Sequence, residues 1–115
     1  MLDSVLVAAP ASVTVTRRSC GVLVSAVGEF DLATAPLLRE ALEQACHDCG
    51  TVRLDMSQVS FIDASTVGEM VAARNDLARS GCRIEIVQPS ARVVRILRLT
   101  GMDDFLPDTI DSGGS

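Results

Sequence analysis

The stretch Val52-Arg53-Leu54-Asp55-Met56-Ser57-Gln58-Val59-Ser60-Phe61-Ile62-Asp63-Ala64-Ser65-Thr66-Val67-Gly68 decides the fold. Val52, Leu54 and Met56 alternate with Arg53 and Asp55, the period of two expected of a strand with one buried face. Ser57 and Gln58 predict a turn, and Phe61-Ile62 a second short apolar piece. After them the period changes. Val67, Met70, Val71 and Leu77 recur at near-helical spacing, predicting a helix over 65–79 that Asp63 or Ser65 would cap. Free backbone N–H groups and the helix dipole favour added negative charge at such an end. Asp63, Ser65 and Thr66 therefore have the layout of a docking or switch point.

The rest of the chain extends this alternation in both directions. Upstream, Val13 and Val15 alternate with Thr14 and Thr16. Cys20 to Val27 is an almost continuous apolar run, predicting a central strand with both faces covered. Past Gly28 a helix is predicted from Thr34, with Pro36 tolerated in its first turn and Leu38, Ala41, Leu42 and Ala45 facing inward until Gly50. Downstream, Gly81 closes the helix after Asp63, and Arg83 to Val87 reads as a strand with Ile84 and Ile86 on one face. Pro89-Ser90 opens a third helix ending near Leu99 and Gly101, and Met102 to Leu106 suggests one more turn. Residues 1–11 are expected to be a flexible arm or a short edge strand, 12–107 one domain, and 108–115 a disordered tail. Two strands followed by α-β-α-β-α is an α/β pattern with a mixed sheet.

At 115 residues the chain is long enough for one core. Hydrophobic residues at 48% against 22% charged argue against disorder, and with no Trp or Tyr the core must be built of aliphatic side chains. A net charge of −5 leaves no basic footprint for nucleic acid. Asp3 stands where a signal peptide would be positive, and no apolar run approaches the ~18 residues that span a bilayer. No membrane insertion is expected, and the expected location is cytoplasmic.

Few residues suggest catalysis. Cys46-His47-Asp48-Cys49 has C-x-x-C spacing, but Cys20 and Cys82 stand singly in or beside predicted strands, too few and too scattered for zinc. The motif also falls at a helix C-terminus, where the dipole does not lower a thiol pKa. The simpler reading is helix-end residues with Cys46 packed inward; the other is an oxidant-sensitive pair, Cys46 and Cys49. Ser65 has acids beside it but no base, because the lone His47 lies at the far end of a predicted helix. Asp103-Asp104 reads as a solvated helix start. The chain is expected not to be an enzyme and to carry no metal and no cofactor.

Asp63-Ala64-Ser65-Thr66-Val67-Gly68 resembles the signature of the STAS domain family. Two further stretches resemble that family: Gly28-Glu29-Phe30-Asp31 leading into Leu32-Ala33-Thr34-Ala35-Pro36, and Pro89-Ser90-Ala91-Arg92-Val93-Val94-Arg95-Ile96-Leu97 running to Gly101. Together they cover roughly 12–107 in the expected order. The resemblance implies a sheet of about five strands with its helices mainly on one face. It also implies an anti-sigma-factor antagonist, which binds an anti-sigma factor, often itself a Ser/Thr kinase, and so frees a sigma factor and regulates transcription. The alternative it carries is an accessory subunit of a lipid ABC-type membrane transport system. The docking surface it implies comprises Asp31, Asp63, Ala64, Ser65, Thr66 and Gly68. In the family, phosphorylation of the serine after the Asp breaks the complex. Here Ala64 stands at that position, and Thr66 replaces a usual glycine. Ser65 as acceptor, Thr66 as acceptor, or no phosphoswitch remain the alternatives.

Overall fold

The computed structural model describes residues 3–19, 21–47 and 50–107. The strands are β1 (Ser4–Ala8), β2 (Ala11–Arg18), β3 (Gly21–Phe30), β4 (Thr51–Ile62) and β5 (Arg83–Pro89). Helices α1 (Ala35–Cys46), α2 (Ala64–Ala78) and α3 (Ala91–Leu99) are followed by a 3₁₀ turn at Asp103–Phe105. The five strands form one sheet in the order β1-β2-β3-β4-β5. β1, β2 and β3 pair antiparallel, whereas β3, β4 and β5 pair parallel, so α1 and α2 are the crossovers that parallel neighbours require.

Val13 and Val15, Val22 and Val24, Val52, Leu54 and Met56, and Ile84 and Ile86 turn one face of the sheet inward. Leu38 and Leu42 of α1, Val67 and Met70 of α2, and Val93 and Leu97 of α3 join them in a single core cluster. The helices therefore cover one face, as expected. The expectation that β3 is covered on both faces is corrected. Its burial alternates, with Val22, Val24 and Ala26 buried but Leu23 and Ser25 only partly buried and Val27 exposed. A single Ser in an otherwise apolar run does not reveal its period of two, so sequence alone could not tell a half-open strand from a covered one.

A second correction concerns Ser57-Gln58. No turn forms there: β4 runs unbroken to Ile62, pairing Gln58 with Val27 and Val59 with Gly28 through shifts in register. Ser57 N–H donates to the Asp55 carboxylate at 2.9 Å. That local bond is characteristic of turns, but continued pairing with β3 keeps the backbone extended. The first helix also ends earlier than Gly50, at Cys46.

Gly28 fixes how the β1–β2 turn sits on the sheet. Its φ is +103°, and a Cβ there would collide with the Pro10 carbonyl, which accepts from Glu29 N–H at 3.4 Å. Only glycine satisfies both the conformation and the close approach.

Candidate docking site at the mouth of the second helix

β3 and β4 are parallel and in register at their ends, with Phe30 opposite Ile62. Asp31 and Asp63 each follow directly, and Asp63 N–H donates to Phe30 carbonyl at 3.3 Å. Two acids more than thirty positions apart in sequence are thus neighbours at the carboxyl edge of the parallel strands. Each organises its own turn. The Asp31 carboxylate accepts from Ala33 N–H at 2.9 Å and Thr34 N–H at 3.2 Å, while Thr34 Oγ1 accepts from Asp31 N–H at 3.0 Å. α1 thereby starts without a side-chain cap of its own.

Asp63 is the N-cap of α2. Its Oδ1 accepts from Ser65 Oγ at 2.7 Å, Thr66 N–H at 3.0 Å and Thr66 Oγ1 at 3.1 Å. Partial burial pushes the carboxyl pKa up, but the Ser65 hydroxyl, the Thr66 N–H and hydroxyl and the Ser65 N–H together outweigh it. Asp63 is held below the usual carboxylate range and stays charged at neutral pH.

The signature residues separate by exposure. Ala64 is exposed on the first turn, and Ser65 is partly exposed with its hydroxyl turned onto Asp63. Thr66 is 0% exposed and belongs to the packed side of α2. A kinase would have to open the helix to reach this hydroxyl, which is both buried and bonded. Gly68 is exposed, and a Cβ built on it would meet nothing within 4 Å. Neither backbone nor packing in this chain demands a glycine there.

Two residues that sequence reasoning did not single out as part of the site lie beside it. Leu32 is 76% exposed next to Asp31, and Phe61 is 44% exposed opposite Glu29 on β3. Periodicity assigned apolar residues to a core, so exposure of these two was not legible. No Lys or Arg occurs between Gly28 and Leu38 or between Leu54 and Ala73, which leaves Glu29, Asp31, Asp63 and Glu69 without basic neighbours on their own segments. The surface is acidic with apolar side chains standing out of it.

Cys46 and Cys82 are joined in a disulfide with Cα atoms 5.8 Å apart. The partner of Cys46 here is Cys82 and not Cys49, the partner in the alternative reading of the C-x-x-C motif; Cys49, like Cys20 and the 108–115 tail, lies outside the described residues. Among the described residues, no group of three or more His, Cys, Asp or Glu side chains converges on one point, and no helix is long and apolar enough to cross a membrane.

The sequence model of the STAS domain family matches residues 11–113. The chain belongs to the STAS domain family. Among curated STAS relatives, the anti-sigma-B factor antagonist of Bacillus subtilis is 26% identical over 103 residues, covering 90% of this chain and 94% of that protein. The anti-sigma-B factor antagonist of Listeria monocytogenes is 34% identical over 80 residues, covering 69% of this chain and 70% of its own length. Among solved structures, an anti-sigma factor antagonist from Mycobacterium paratuberculosis superposes with a TM-score of 0.73 at 26% identity, covering 88% of each chain.

Proposed function

We propose that this STAS domain is an anti-sigma-factor antagonist, a binding module that occupies an anti-sigma factor and so frees a sigma factor. The observation that carries this reading is the adjacency of Asp31 and Asp63 at the carboxyl edge of β3 and β4, with an exposed glycine of no internal purpose, Gly68, in the first turns of α2. An acidic surface from which Leu32 and Phe61 stand out, with Gly68 leaving room for close approach, suits docking of another protein. The relatives that share most of this chain's length are named for the same activity. Catalysis has no support from the site, since the Ser65 hydroxyl is held by a carboxylate and His47 lies at the other end of α1. Activity in the cytoplasm follows from the same reading.

Of the two hydroxyls, Ser65 is the one open to modification. A phosphate there would add about −1.5 to −2 charges beside Asp63 and Asp31 and remove the hydroxyl that now donates to Asp63. A helix N-terminus tolerates that charge. It offsets part of the repulsion from Asp63 at the cap, and the larger penalty falls on docking.

The test is affinity purification from native cells with mass spectrometry of partners and phosphosites, followed by binding of Ser65→Glu. Capture of an anti-sigma factor, with at least about tenfold weaker binding by Ser65→Glu, supports both statements. The same partner bound equally by Ser65→Glu removes the switch and leaves the antagonist. Capture of permease and ATPase subunits moves the domain into transport.

A further inference from the structure

We propose that Cys46 and Cys82 are a reversible thiol–disulfide site that closes and opens a covalent ring around the β4–α2 unit, with Cys46 as the sulfur through which outside thiols and disulfides enter. The bond joins the last residue of α1 to the residue ahead of β5, a separation of 36 residues. Everything between them lies inside the ring: all of β4, all of α2, and with them Asp63, Ser65 and Gly68.

The surroundings of Cys82 make it a junction. Cys82 N–H donates to the Leu77 carbonyl in the last turn of α2 at 3.0 Å, and Arg83 N–H donates to the Gly50 carbonyl, between α1 and β4, at 2.7 Å. Closing the bond therefore ties together the ends of three elements. Cys82 is 5% exposed and part of the core, whereas Cys46 is partly buried at its margin. An incoming reagent meets Cys46 first.

With a low-molecular-weight disulfide as oxidant, the Cys46 thiolate attacks one of its sulfurs and one thiolate leaves. The Cys82 thiolate then attacks the Cys46 sulfur of the mixed disulfide, and the second thiolate leaves. Two electrons pass from the cysteine pair to the reagent, which ends as two thiols carrying the two protons. Excess thiol reverses both steps. The folded geometry of the docking helix is the same in both states; the frequency with which it opens is not. Only the timing of the switch rests on the cytoplasmic setting proposed above, where disulfides are mostly transient or sensing.

The test uses the full chain carrying Cys20→Ser and Cys49→Ser, equilibrated across ratios of reduced to oxidised glutathione. Bond formation is read by alkylation and mass spectrometry, and amide hydrogen exchange is then followed in the oxidised and reduced forms. The expected result is a reversible titration, glutathione adducts on Cys46 at intermediate ratios, and exchange in the core of α2 slowed on the order of 100-fold by the bond. Absence of the bond at every ratio, adducts on Cys82 instead, or equal exchange in the two forms would overturn the proposal. Disulfide mapping of the unaltered chain through the same titration covers the case in which the serines disturb folding. None of these readouts involves a partner, so failure here and failure of the antagonist reading are separate.

Discussion

Asp63 is both a structural cap and part of the proposed docking surface, and the two roles can be measured apart. Asp63→Ala removes one acceptor that serves three donors, and is expected to cost about 1–2 kcal/mol in urea unfolding. The sign of its pH dependence follows from the lowered pKa. The carboxylate's contribution is complete above the ordinary Asp range and is lost as pH falls through the lower folded value, so the variant should show a shallower acid limb than the parent. Gly68→Ala should do the opposite to stability. Helix propensity favours Ala by about 1 kcal/mol, and the added methyl has open space around it. A rise in the urea midpoint together with weaker capture of the partner is the expected outcome. Unchanged capture would remove Gly68 from the docking surface. Thr66 shows where residue-level reading stops. Asp63, Ser65 and Thr66 were legible as a helix mouth; that Thr66 is the inward hydroxyl follows from its place four residues before Met70 and seven before Ala73 on the buried stripe, which reading the two hydroxyls by type alone overlooks.

The elements themselves were mostly legible because each carries a clean period. The inward Leu38, Ala41, Leu42 and Ala45 of α1 and the alternating Val52, Leu54 and Met56 of β4 are buried as their spacing implies. What failed was polarity read as chain direction: Ser57-Gln58 resembles a turn, yet pairing with β3 carries β4 through it. The Cys46–Cys82 bond was not legible for a related reason, since spacing along the chain does not give connectivity in space. Gly28 is the sharpest element-level test. Gly28→Ala places a Cβ against the Pro10 carbonyl at a positive φ, and is expected to cost about 2–4 kcal/mol and to loosen the β1–β2 hairpin first. Early loss of hydrogen-exchange protection in Ala11–Arg18, with α2 still protected, would be its signature. By contrast, the Arg39–Asp76 bridge between α1 and α2 at 2.6 Å joins partly exposed groups and adds little to the packing beneath it.

At the scale of the whole molecule, four acids share one end. Glu29, Asp31, Asp63 and Glu69 gather at the carboxyl edge of the parallel strands, while Arg17 and Arg18 close β2 and Arg79 and Arg83 lie between α2 and β5, at the opposite edge. No Lys or Arg on the segments that carry these four acids offsets them. Association with a basic partner surface should slow several-fold between about 50 and 300 mM salt, with dissociation changing less. An association rate insensitive to salt would shift the recognition onto the exposed Leu32 and Phe61.

The ring closed by Cys46 and Cys82 also governs how the molecule answers mechanical force. Pulled by its termini, the oxidised chain can surrender only the segments outside the bond; the stretch enclosed by it carries no tension. At about 3.3–3.6 Å per residue, the fully extended oxidised chain would fall short of the reduced one by roughly 120 Å. The helix that Asp63 caps would stay free of the pull until the bond is reduced.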